Sequence, residues 1–194
     1  MKSILSVALA AILMSGSAKA QSVNFGIKGG LNLYTLNDER DVKYDSKPGV
    51  NVGLLAHIHL APQLGLQPEV VYSLQGAKST VANIETKLNL GYINVPVMLQ
   101  YMFDNGFRLQ AGPQVGFLIS GKSEIKDEEN NIKDQFKTVD FGVGAGLGYV
   151  HPASGFGVDA RYNLGLSDIT ESDLTKMTNR GFQLGVFYLF NHKN

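Results

Sequence analysis

Six ionisable side chains lie in segments where apolar residues alternate with polar or small ones: Lys28, Glu69, Arg108, Asp140, Asp159 and Arg161. Three are positive and three negative. Enclosed together they would sum to zero, and they would have to pair, because an unpaired buried charge is expensive. Such a set can act as a structural plug or as a path for a proton or ion, and the plug is the favoured expectation. Asp159 and Arg161 are two residues apart and share a strand face, whereas Glu69 and Arg108 sit on strands that flank a third. Those two could meet only across an interior. On this reading Arg161→Ala lowers the unfolding temperature.

Other constellations are weaker. His57 and His59 share a strand face, but two histidines fall short of the three or four ligands of a zinc site. They read as polar interior residues. Ser167, Asp168, Glu171, Ser172 and Asp173 form an acidic cluster that could attract a cation, although such loop clusters are usually only solvated. A mixed-charge run at Lys126, Asp127, Glu128, Glu129, Lys133 and Asp134 reads the same way. The glycines from Gly142 to Gly148 lack the G-x-G-x-x-G spacing and the following helix of a nucleotide site. There is no cysteine, so disulfides, thiolate metal sites and a cysteine nucleophile are excluded. Basic and acidic residues balance at 17 each, and no basic patch suggests a nucleic-acid partner. No cofactor and no enzymatic activity are expected.

The elements that must carry these residues are strands. Lys2, the apolar stretch from Ile4 to Met14, and the small residues Ala18 and Ala20 have the layout of a cleaved secretory signal over 1–20. This leaves 21–194 as one domain. Beyond Ala20 the hydrophobic period is two almost throughout. One phase of eight segments, spanning 23–33, 50–60, 64–74, 93–101, 107–117, 141–149, 156–166 and 182–190, holds no charged or amide side chain. The opposite phase holds all six strand charges, together with Asn32, Gln67, Asn94, Gln100, Gln110, Gln114, Asn163 and Gln183. Thirteen of the 22 glycines are there too. A water-facing surface would carry many lysines and glutamates rather than glycine, which weakens a strand unless space is tight. A narrow barrel interior is tight. The chain is therefore expected to be an all-β, eight-stranded antiparallel up-and-down transmembrane β-barrel, apolar towards lipid and polar within. A soluble lipocalin-like barrel is the fold-level rival, and would need an apolar interior.

Spacing between segments supports the membrane reading. Gaps at 61–63, 104–106 and 151–155 are tight turns, while those at 35–47, 77–87, 120–137 and 167–180 are long. Short and long alternate, as periplasmic turns and extracellular loops do. Of the 34 charged residues, 24 lie in the long gaps, which fits the cost of about 2–4 kcal/mol for Lys or Arg against lipid at the midplane. Phe25, Tyr101, Phe103, Phe107, Tyr149, Phe156, Tyr188 and Phe190 would form one aromatic girdle at the short-turn end. Tyr72, Tyr92, Phe117, Phe141 and Phe182 would form the other. The alternation breaks where Leu88, Leu90 and Tyr92 give way to Ile93, Val95 and Val97. Either a β-bulge near Gly91 flips the facing, or the long loop ends later than its composition suggests.

Several stretches resemble a known family: FGIKGGLN (25–32), LQPEVVYSLQGAK (66–78), YINVPVMLQYMF (92–103), LQAGPQVGFL (109–118), VGAGLGY (143–149) and ARYNLGLSDI (160–169). The chain resembles the PorT-like, porin-family outer-membrane barrels common in Bacteroidota. The likeness covers nearly every strand. It implies an eight-stranded barrel in the outer membrane of a Gram-negative cell, without singling out a role in secretion or gliding. It also implies an acidic residue where this chain has Asn94. Three functions follow as expectations: a scaffold or surface-interaction barrel whose long loops meet a protein partner, a narrow porin-like channel, and, least favoured, a membrane-embedded enzyme. Outer-membrane lipid is the one partner that every version requires.

Overall fold

The computed structural model describes residues 23–40, 44–81, 84–126, 128–172 and 175–190. The expected signal segment lies outside them, as do Asp127 and Asp173. Nine strands are present among the described residues: β1 (Val23–Asp38), β2 (Asp45–Ala61), β3 (Leu64–Val81), β4 (Ile84–Met102), β5 (Phe107–Ile125), β6 (Glu128–Asn131), β7 (Val139–Val150), β8 (Phe156–Gly165) and β9 (Met177–Leu189). All pairings are antiparallel. β1 pairs with both β2 and β9, and β4 with both β3 and β5, so the sheet closes into a ring of eight, with β6 appended to β5 above it.

The alternation decides which face is which. Phe25, Leu31, Leu54, Val70, Phe156 and Leu184 stand on the outside, exposed, while Lys28, Gln67, Glu69, Arg108, Asp159 and Arg161 are buried within. A soluble barrel would have these faces exchanged. Tight turns fall where the composition places them. In one, Gly106 adopts a φ of 88°, a left-handed conformation that glycine adopts at little cost.

The strands run further than their apolar content suggests. β4 and β5 are each 19 residues long, against the 9–11 or so that a tilted strand needs to cross a bilayer. The segment 77–87, read from composition as a long loop, is mostly the tip of the β3–β4 hairpin, paired from Ala77↔Leu88 up to Val81↔Ile84. By contrast β8 has only 10 residues.

The break at Gly91 has a definite origin. A register shift does lie between Gly91 and Tyr92, but Gly91 pairs with Ser120 and Tyr92 with Leu118, so the extra residue is Ile119 on β5. Facing therefore changes on β5, where Leu118 is buried below the bulge and Gly121 and Ser123 above it. On β4 it does not change: Leu90, Tyr92, Asn94, Met98 and Gln100 all point inward. What changes is the interior, which becomes apolar towards the extracellular end. This corrects the expectation of a flip on β4, and it moves Tyr92, wholly buried, from the outer girdle into the lumen.

Candidate functional site: the lumen

Five of the six strand charges face a glycine across the sheet: Lys28 opposite Gly53, Arg108 and Asp159 opposite Gly148, Asp140 opposite Gly116, and Arg161 opposite Gly146. Large side chains thus occupy space that the neighbouring strand leaves empty. A Cβ at Gly146 would lie 3.0 Å from Arg161 Cγ, and one at Gly185 2.8 Å from Asp159 Oδ1. The glycine content of the interior phase is the complement of its charges.

Four charges meet in the middle of the barrel. Arg161 grips Glu69 with both terminal nitrogens, Nη1 to Oε2 at 2.8 Å and Nη2 to Oε1 at 2.5 Å. This bidentate geometry is the strong form of the pair. Arg161 Nη2 also donates to Asp159 Oδ2 at 3.2 Å. Lys28 Nζ bridges the two acids, at 2.9 Å from Asp159 Oδ2 and 3.3 Å from Glu69 Oε2. Gln67 Nε2 adds a further donor to Glu69 Oε1 at 2.7 Å. Two positive and two negative groups therefore form one closed, neutral cluster from β1, β3 and β8.

The remaining two charges lie apart from it. Arg108 donates to Gln100 Oε1 at 3.1 Å, and Gln100 in turn donates to Gln110, which also accepts from Arg161. Arg108 therefore joins the cluster only through amides. Asp140 accepts from Ser167 Oγ at 2.7 Å and from Asn179 Nδ2 at 3.0 Å, at the other end of β7. Between them lies a neutral layer. Asn51 donates to Asn32, Asn32 to Ser73, Gln183 to Asn51, and Asn163 to the Tyr34 hydroxyl. Asn94 is buried as well. Gln114 faces the same layer from β5.

Apolar side chains cover the polar lumen at both ends. Leu36, Leu90, Tyr92, Leu118, Phe136 and Ile169 pack together on the extracellular side. Leu55, Val150, Phe187 and Leu189 do so on the periplasmic side. Composition missed both groups, because an apolar residue in the interior phase looks like noise in the alternation. Tyr34, Asn179 and Ser167 were also missed as lumenal partners. The signal for Tyr34 was its place in the same phase as Lys28 and Asn32.

His57 and His59 pack edge to face with ring centroids 4.6 Å apart, and His57 is fully buried. Among the described residues no group of three or more His, Cys, Asp or Glu side chains is arranged to hold a metal. In the acidic loop cluster, whose Asp173 lies outside the described residues, the Asp168 carboxylate is not vacant. Asp168 is already engaged by Lys137 Nζ at 2.7 Å, the backbone N–H groups of Thr170 and Met177 at 3.1 and 3.0 Å, and the Thr170 hydroxyl. Partial burial raises its pKa, but these donors outweigh that and hold the carboxyl down at about 2. The glycines of β7 line the lumen opposite Arg161, Asp159 and Arg108.

The ring closure, lipid-type exterior and ionic interior define an outer-membrane β-barrel. Sequence comparison agrees: residues 19–171 match the family described as outer membrane protein beta-barrel domain, and the chain belongs to that family. Its fold is shared with Neisserial surface protein A, at 13% identity and a TM-score of 0.61, covering 87% of this chain and 99% of that one. It is shared too with Ail, the attachment invasion locus protein of Yersinia pestis, at 17% identity and a TM-score of 0.51, covering 86% and 98%. A second Ail structure, in complex with the heparin analogue sucrose octasulfate, superposes at a TM-score of 0.52, with 17% identity and coverage of 87% and 99%. At these identities the likeness concerns the fold. No curated protein sequence matches the chain. The protein is located in the outer membrane.

Proposed function

We propose that this protein is a plugged outer-membrane scaffold that presents its extended extracellular strands to a partner outside the cell. The observation that carries the reading is the overhang. β3, β4 and β5, at 18, 19 and 19 residues, exceed the bilayer requirement by roughly eight residues each, and β6 widens the projecting sheet. A chain with no task at the cell surface has no need of that length. The barrel neighbours, a surface protein and an attachment protein by name, support the same class of role, as does the resemblance to PorT-like barrels. The occluded lumen argues against a pore, and the mutual bridging of Lys28, Glu69, Asp159 and Arg161 argues against a catalytic use of those four groups. A signal segment at 1–20 fits delivery by the secretory route.

Two experiments test this. Reconstituted into planar bilayers, the refolded protein should give no stepwise conductance, and regular steps would establish the channel reading instead. Photo-crosslinking residues placed at Thr80 and Glu129 should give adducts on intact cells, while one at Leu54 should label only lipid. Absence of adducts at both tip positions would remove the surface-interaction role.

A further inference from the structure

Of the three lumenal acids, Glu69 and Asp159 pair with Lys28 and Arg161, and Asp140 forms no ion pair among the described residues. Its carboxylate accepts from Ser167 Oγ and Asn179 Nδ2, both neutral. The Ser167 hydroxyl itself accepts the Phe141 N–H, and Asp140 Oδ1 at 2.7 Å is a much nearer acceptor for its proton than the Phe141 carbonyl at 3.5 Å. Both donors serve the ionised form of the acid, and a buried carboxylate without a countercharge is costly. Arg161, on the intervening strand β8, is occupied by Glu69 and Asp159.

Beside this carboxylate lies a small interior cavity. Tyr34, Gln75, Gln114, Asp140, Asn163 and Asn179 line it, and the cross-strand pair Gly142 and Gly165 leaves it unfilled. The centre of a water-sized sphere has about 10 Å³ in which to move there, room for a single small guest. Asn179 supplies the second observation. It is buried, its Nδ2 donates to both Asp140 Oδ2 and the Tyr92 hydroxyl, and its Oδ1 has no hydrogen-bond partner. Flipping the amide does not relieve this, because Oδ1 would then face the carboxylate. An orphaned amide oxygen costs stability unless something positive or donating satisfies it. Gln75, which also lines the cavity, donates its Nε2 to Ser73 rather than to Asp140.

We propose that this cavity is an alkali-cation site, formed by the Asp140 carboxylate, the orphaned Asn179 Oδ1 and the amide oxygens of Gln75 and Gln114. Oxygen donors select a hard cation. A single carboxylate matches a single positive charge, whereas calcium takes six to eight oxygens and commonly several carboxylates. The guest neutralises Asp140 and satisfies Asn179 together, and it ties β7 to β9 across β8. The apolar cap of Leu36, Leu90, Tyr92, Leu118 and Ile169 covers the polar lumen on the extracellular side. The ion is therefore taken up as the barrel closes.

The test is refolding from urea into detergent in NaCl, KCl, LiCl or N-methyl-D-glucamine chloride at equal ionic strength, followed by thermal unfolding. Wild type should melt several degrees higher in one alkali salt than in N-methyl-D-glucamine, with a saturable dependence on that ion. Asp140→Asn should abolish the difference. Asn179→Ala keeps the carboxylate and should weaken the dependence several-fold. Identical melting in all four salts would mean that the cavity holds water or that Asp140 is protonated, and would overturn the proposal. So would an undiminished ion response in either variant. If neither variant refolds, the wild-type ion series decides by itself.

Discussion

The middle of the barrel and its extracellular end use opposite codes. In the middle, Val95, Val97 and Leu99 of β4 face out while Asn94 and Gln100 face in. Further up the same strand, Glu85, Lys87 and Asn89 are on the outer face, and Leu90 and Tyr92 are buried. β1 repeats the change as Lys28 and Asn32 give way to Tyr34 and Leu36, and β5 repeats it as Arg108 and Gln110 give way to Leu118. The cause is the solvent. Lipid outside requires apolar side chains there and leaves polar ones to pair within. Where water replaces lipid, the sheet behaves as a soluble one, charged outside and apolar inside. The molecule is a membrane barrel continued upward as a soluble sheet.

That contrast yields substitutions whose effects depend on height. The largest effect should come from Arg161→Ala, which strands Glu69 and Asp159 with Lys28 alone. Removing one partner of a buried pair costs roughly 3–5 kcal/mol, and heat-modifiable gel mobility should show the folded band lost at markedly lower temperature. An unchanged melting profile would mean that the cluster is dispensable. In the upper region a charge deletion should matter little and an apolar deletion a great deal. Leu90→Ala removes a wholly buried side chain at a cost of about 3 kcal/mol, whereas Lys87→Ala removes a surface pair with Glu124 worth no more than about 1 kcal/mol. If the two cost the same, the upper lumen is not a packed core. On the outer face, Leu54→Lys puts a charge against lipid at a cost of about 2–4 kcal/mol. Thr80→Lys, on the overhang, should stay within about 0.5 kcal/mol of wild type.

The same contrast explains what could be read from the sequence. The ring of eight, the inward phase and the tight turns were legible because lipid enforces a one-sided pattern over every strand. The strand extensions were not, because a two-sided charged and apolar hairpin such as Lys78–Lys87 has the composition of a loop. That Lys28, Glu69, Asp159 and Arg161 share the interior followed from phase. Their meeting as one cluster depends on the stagger between β1, β3 and β8, which period two does not encode. Tyr92 and Leu90 were hidden because they lie in the inward phase yet look like lipid-facing residues, and only the height at which lipid ends tells them apart. Asn179 sat in a stretch read as loop, so no phase was assigned to it.

The smallest effect sharpens the comparison from the loop side. Asp168 anchors the segment between β8 and β9, through Lys137 on one side and the Thr170 and Met177 backbone on the other. Its pKa is lowered to about 2 in the folded protein, against roughly 3.9 for a free aspartate. The unfolded segment therefore binds a proton more readily between those values, and the anchor's contribution is complete above about pH 4 and is lost as pH falls towards 2. The central cluster should not follow this titration, since the lumen is sealed from the loops by the apolar cap. Amide exchange in detergent micelles, corrected for intrinsic rates, should show Thr170 and Met177 losing protection over that window while Gly146 and Gln183 keep theirs. Asp168→Asn should leave the two loop amides poorly protected at every pH. Simultaneous loss at all four sites in the wild type would mean that loop and lumen unfold as one unit, and that the boundary between the two codes is not a boundary in stability.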